Sequence, residues 1–131
     1  MANEADVLRG AYAALGARDL DTLQGLFTWD AVWVIPGSSA ISGAHTGWPA
    51  IRDEFVALLG PLSGGTFHAE LLDVAVGEQY LVAVQRTTAE FRGRTLNVTS
   101  CQLVRMAHGL IREVSGLYSA EGVEAIDAFW V

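Results

Sequence analysis

Lysine is absent from this chain: all eight basic residues are arginine. Schiff-base chemistry on a lysine side chain is therefore excluded. Cysteine is almost as scarce. Cys101 stands alone, so no internal disulfide can form, and its place in an apolar run reads as an inert, buried or half-buried thiol rather than a reactive one. His45, His68 and His108 lie too far apart for a metal-ligand spacing such as HxxxH, and neither a metal nor a cofactor is expected. No apolar run approaches the roughly 18 residues of a membrane span, although hydrophobic residues make up 51% of the chain and charged residues 18%. Fifteen acidic against eight basic residues leave a net charge of −7 with no basic patch, which makes nucleic acid and anionic membrane poor partners. The opening MANEADVLRG has no basic end leading into an apolar core, so the expectation is a cytoplasmic location rather than secretion.

What is present fits one domain, residues 1–131, with enough buried surface for a single core and one internal cavity. Val7, Leu8, Ala11, Tyr12, Ala14 and Leu15 recur at helical spacing after Asn3 and Asp6, either of which can cap a first helix. Asp19 can cap a second short helix with apolar face Leu20, Leu23, Leu26 and Phe27. Val32 to Ile35 reads as a strand that stops at Pro36, followed by a loop of small residues. Pro49 opens a third helix that buries Ile51, Phe55, Leu58 and Leu59 and ends at Gly60-Pro61. After Gly64-Gly65 the period becomes alternating. Residues 66–74, 79–91, 94–106 and 110–119 read as four strands of an antiparallel meander, with turns at Arg92-Gly93 and around His108-Gly109, and residues 120–130 as a short last helix. This order, ααβαββββ plus a terminal helix, predicts an α+β domain with helices on one face of a bent sheet.

The Arg92-Gly93 turn fixes the register of the longest hairpin, pairing Phe91 with Arg94, Gln85 with Ser100 and Ala83 with Gln102. One face then carries Ala83, Gln85, Thr87, Ala89, Val98, Ser100, Gln102, Val104 and Met106; the other carries Val82, Val84, Arg86, Thr88, Glu90, Asn97, Thr99, Cys101, Leu103 and Arg105. The uncharged face should turn toward the helices. There Gln85, Ser100 and Gln102 stand where a plain core would place Val or Leu, and they read either as a closed hydrogen-bond network or as the lining of a pocket. The outer face, with Val82, Val84, Cys101 and Leu103 among few charges, suits a homodimer interface.

The runs AYAALGARDLDTLQGLF, VWVIPGSSAISGAHTGWPAI, GGTFHAELLDV and HGLIREV resemble the nuclear-transport-factor-two-like superfamily, in its SnoaL-like or ketosteroid-isomerase-like branch. The resemblance implies a cystatin-like cone, a curved antiparallel sheet wrapped around three N-terminal helices, with a small-molecule pocket between them and dimerisation through the outer sheet face. It does not carry catalytic residues. In alignment with ketosteroid isomerase, Ile35 takes the place of the aspartate base, Gln102 that of the oxyanion-binding aspartate, and Ala11 that of the tyrosine, with Tyr12 adjacent. The acids of the limonene-epoxide-hydrolase type fall on Gly116 and near Thr88. The candidates that remain are Gln102, Tyr12 and Tyr118 as hydrogen-bond donors, and Trp33, Ile35, Phe55, Phe67, Gln85, Ser100, Gln102, Gly116 and Tyr118 as ligand contacts, with Trp48 as a further apolar wall; ordinary packing explains Trp33, Trp48, Phe55 and Phe67 equally well. Asp53, Glu54, Glu70 and Asp73 read as solvated charges. The expected function is binding of a small, mostly apolar metabolite bearing a carbonyl or hydroxyl. The alternatives are a cyclase, isomerase or dehydratase using neutral groups, and a dimeric interaction module with a filled cone.

Overall fold

The computed structural model describes residues 3–131. Helix α1 (Glu4–Gly16) starts where Asn3 accepts a hydrogen bond from the Asp6 amide, and α2 (Leu20–Gln24) starts where Asp19 accepts from that of Thr22. Strand β1 (Phe27–Ile35) runs to Pro36, and β2 (Gly43–Thr46) folds back on it. A helical segment follows in three pieces: α3 (Trp48–Ile51), a π-helical turn (Arg52–Val56) and α4 (Ala57–Ser63). Strands β3 (His68–Val76), β4 (Leu81–Phe91), β5 (Arg94–Ala107) and β6 (Leu110–Leu117) precede α5 (Ala120–Phe129).

These strands form one curved sheet in the order β2-β1-β6-β5-β4-β3, antiparallel except where β1 lies parallel to β6. Helix α1 packs against β3 and β6, α3 against β1 and β2, α4 against β4, and α5 against β5. The result is the expected α+β cone. Both long hairpins turn through two residues with positive φ, Arg92 and Gly93, then His108 and Gly109, and this backbone twist matches that of the flanking strands. The β4–β5 register is the one read from the turn: Phe91 faces Arg94, Gln85 faces Ser100 and Ala83 faces Gln102. The uncharged face points inward and is buried, apart from Met106, which a register shift between Arg105 and Met106 leaves half-buried.

Three local expectations are corrected. Phe27 does not extend the second helix; it begins β1, because α2 ends at Gln24 and the chain turns at Gly25. The small-residue stretch after Pro36 is not wholly loop, since four of its residues pair with β1 as β2. The third helix passes Pro61 and ends at Ser63, whose hydroxyl bonds the Leu59 and Gly60 carbonyls, before Gly64 closes it in the left-handed region. Pro61 is tolerated there because the π-helical turn and the short last turn already break the regular hydrogen-bond ladder.

The loop 36–42 is tied to the C-terminal helix. Asp127 accepts a hydrogen bond from the Ser38 amide at 2.8 Å, and the Ala40 amide donates to the Trp130 carbonyl at 2.8 Å. Gly37 makes this possible: its φ is +92°, and a Cβ there would stand 2.4 Å from the Asp127 carboxylate. Gly37→Ala should therefore strain the backbone and displace Asp127, lowering the unfolding free energy by about 1–3 kcal/mol. Urea denaturation measures this, and an unchanged midpoint would mean that the tie contributes nothing.

Candidate functional site

Between the helices and the inner sheet face lies a cavity of about 50 Å³ as traced by the centre of a water-sized sphere, with a larger void between atomic surfaces. In that measure it has room for a few waters. Its wall takes Leu8, Ala11, Tyr12 and Leu15 from α1, Trp33 and Ile35 from β1, Phe55 from the π-helical turn, Gln85 and Thr87 from β4, and Gln102 and Val104 from β5. Tyr118, Ile126 and Trp130 close the far side. Among these residues no side chain carries charge at neutral pH.

The aromatic part is built by contact. Phe27 stacks on Trp33 with ring centres 5.7 Å apart, and Trp33 meets Phe55 edge to face at 4.9 Å. The wide turn at Arg52–Val56 carries Phe55 inward. Behind it the buried His45 ring lies parallel to that of Phe55, its Nε2 2.8 Å from the Ile41 carbonyl and its Nδ1 3.2 Å from Glu54. Glu54 is thus not simply a solvated charge: it anchors the ring that backs the wall. Glu70 likewise pairs with Arg86 on the outer face. Asp53 pairs with its neighbour Arg52 in the open, and Asp73 accepts from the Val74 amide.

The polar part is a cluster of neutral groups along β4 and β5. The Tyr12 hydroxyl donates a short hydrogen bond to Gln85 Oε1, and Gln85 Nε2 donates to Ser100 Oγ at 3.3 Å. Tyr118 stands beside the same groups. Burial pushes its phenol above the ordinary tyrosine value, while hydrogen bonding from Ser100, Gln85 and Gln102 offsets part of the shift. Tyr12 is also pushed up, mainly by burial and then by Tyr118 and Cys101, so both phenols stay protonated as donors. Gln102 is 4% exposed, and its Oε1 is buried without any hydrogen-bond donor.

Of the residues singled out from the sequence, Tyr12, Trp33, Ile35, Phe55, Phe67, Gln85, Gln102 and Tyr118 come together on the cavity wall. Ser100 stands one hydrogen bond behind Gln85. Gly116, opposite Gln102 in the register, lies behind Tyr118: a Cβ there would come within 2.8 Å of the Tyr118 ring and 3.1 Å of Pro36, so the aspartate of the epoxide-hydrolase type has no space. Of the two readings of Trp48, wall and ordinary packing, the second holds: it is fully buried, packs against Phe27 and is not on the cavity wall. Sequence reasoning missed Phe27 and Ile41 as wall residues because it placed one on a helix and the other in an open loop. Tyr12 also borders a surface groove with Arg9 and residues 71–74, so it partitions cavity from solvent. The described residues contain no group of three or more His, Cys, Asp or Glu placed to hold a metal, and no helix is long and apolar enough to cross a membrane.

Comparison with known proteins agrees with this geometry. The SnoaL-like domain profile matches residues 8–114. The chain belongs to the SnoaL-like family. An uncharacterized protein of Mycobacterium tuberculosis (strain H37Rv) is 31% identical over 129 residues, covering 95% of this chain and 94% of that one. The solved structure of Bal32a, from a soil-derived mobile gene cassette, superposes with a TM-score of 0.91 at 33% identity, covering 98% of this chain and 96% of that chain. A putative polyketide cyclase from Sinorhizobium meliloti shares the fold at a TM-score of 0.70 and 23% identity, over 85% of this chain and 93% of the other.

The hydrogen-bond inventory orders two substitutions. Gln85→Leu removes the acceptor of Tyr12 and a donor to Ser100, stranding both in the interior, and should cost about 1–3 kcal/mol. Gln102→Leu removes an acceptor that already has no partner, and should cost less than about 1 kcal/mol. Denaturant melts of both variants check the order; its reversal would mean a closed network centred on Gln102.

Proposed function

We propose that this protein binds a small, uncharged, mostly apolar metabolite carrying a carbonyl or hydroxyl, held in the cone between α1 and the inner sheet face. One observation carries the reading: the cavity wall is free of charged side chains yet gathers Tyr12, Gln85, Gln102 and Tyr118 on one part of an otherwise aromatic and aliphatic lining. A charged ligand would enter such a wall without a counter-ion, at a cost of several kcal/mol or more. A flat apolar one would regain its desolvation against Trp33, Phe55 and Phe67. Membership of the SnoaL-like family supports small-molecule binding or chemistry of the cyclase and isomerase kind in general terms.

Proton abstraction by a carboxylate is not part of the proposal. Ile35 occupies the end of β1 on the cavity wall, where the aligned isomerase base would sit, and no carboxylate or imidazole joins it there. A second reading, a cyclase, isomerase or dehydratase, draws on the two buried phenols and Gln102. These can polarise one ligand oxygen, while the close aromatic walls hold a reactive substrate folded, so that proximity supplies most of any acceleration. The cavity itself speaks against a cone filled solely by its own side chains.

Calorimetric titration with neutral bicyclic compounds tests the proposal. Indane-sized neutral rings should bind, and their carboxylates should bind at least about tenfold more weakly, since tenfold corresponds to only about 1.4 kcal/mol of desolvation penalty. Absence of binding by every neutral ring would overturn it. The protein should also leave a β,γ-unsaturated ketosteroid unisomerised; turnover lost on mutating a carboxylate elsewhere would show that another acid serves as base.

The outer sheet face supports a homodimer as part of the same proposal. Val84, Cys101 and Leu117 form one cross-strand row, with Val82 and Leu103 in the next, and Leu117 is 51% exposed in the isolated chain. Val84→Arg should shift the protein toward monomer in sedimentation, and a strictly monomeric wild type would sink the assignment.

A further inference from the structure

Resting on the reading of the cone as a ligand site, we infer that its polar end selects a hydroxyl over a carbonyl: the group recognised is an alcohol or phenol that donates to Gln102 and accepts from Tyr118. Tyr12 spends its proton on Gln85 Oε1, and Gln85 spends an amide proton on Ser100. Ser100, Gln85 and Gln102 stand around the Tyr118 hydroxyl, and hydrogen bonding with them offsets part of the rise that burial causes. Gln102 Oε1 remains, buried with no donor.

An acceptor buried without a donor is unfavourable, and the two protons the wall has left over, on the Tyr118 phenol and on the partnerless Trp33 Nε1, do not bond it. A ketone, ester or ether brings only acceptors: it can take the Trp33 Nε1 or Tyr118 proton but leaves Oε1 as it is. A carboxylate adds a charge that no cation on the wall can meet. An ammonium would supply a donor but likewise lacks a counter-ion. A hydroxyl is the small neutral group that gives one proton to Gln102 Oε1 and takes one from the Tyr118 phenol, which burial keeps protonated. Ring atoms attached to it then lie against Trp33 and Phe55, which meet edge to face on the same wall.

The test compares three ligands of one shape, indane and the ketone and alcohol at its same carbon, by calorimetry on wild type and on Gln102→Met, a near-isosteric change that leaves the aromatic wall in place. The alcohol should bind wild type about three- to tenfold more tightly than the ketone, the effect of one neutral hydrogen bond. In Gln102→Met that preference should vanish while indane binds equally to both proteins. If Gln102→Met fails to fold, Gln102→Leu, which likewise removes Oε1, supplies the same comparison. Binding of indane without preference for the alcohol, or a preference that survives the substitution, would overturn this inference and leave the pocket reading intact. Binding of none of the three would overturn both.

Discussion

The β4–β5 hairpin register is the constraint on which the rest depends. Arg92 and Gly93 adopt positive φ in succession, and this two-residue turn forces Phe91 onto Arg94. From there every second residue of both strands is committed to the interior. A slip by one residue would put Arg86, Glu90 and Arg105 inside and expose Gln85, Ser100 and Gln102. The cost of burying those charges far exceeds anything the cluster contributes. The turn therefore sets the chemistry of the cavity at a distance, by deciding which uncharged residues face it.

The site that results is electrostatically quiet. Its wall holds amides, phenols and a threonine hydroxyl among apolar groups, and the two phenols are held in their neutral form by the burial that defines the cavity. Ion pairs of the described residues lie away from the wall, among them Arg86 with Glu70 and Arg105 with Glu113 on the outer face, and Arg52 with Asp53 at the helix surface. The imidazole that comes nearest, His45, backs the wall rather than forming it, fixed between the Ile41 carbonyl and Glu54. Recognition in such a pocket rests on shape and on counting hydrogen-bond donors, since there is no charge to complement.

Two glycines show how closely the cone is shut. Gly116 lets the Tyr118 ring fold back over β6 beside Pro36, and this places the phenol against Gln102 and Ser100. Gly37 lets the chain after β1 pass under Asp127, tying the loop that carries Ile41 to the helix that carries Ile126. One glycine positions the polar end of the cavity; the other holds a side of its wall in place.

By itself the sequence determined the α+β class, the Asp19 cap of the second helix, the four-strand meander, its register and the inner set Gln85, Ser100 and Gln102, because each follows from local rules: cap chemistry, period-two alternation and turn residues; for the first helix it offered Asn3 and Asp6, and the structure uses Asn3. Strand β2 was not legible, since Gly43 to Thr46 has no alternating pattern and becomes a strand only when β1 offers its edge. The same holds for Phe27, whose apolar side chain fits a helix face as well as a strand until Gly25 turns the chain. Tertiary structure alone decided that Trp48 is core while Trp33 is wall, that His45 leans on Glu54, and that Gln102 Oε1 has no donor although both ends of the Gln85 amide are partnered. Those outcomes depend on residues far apart in the chain, Tyr12 with Gln85 and Tyr118 with Ser100, and hydrogen-bond satisfaction is a property of that three-dimensional neighbourhood, with no local periodicity to announce it.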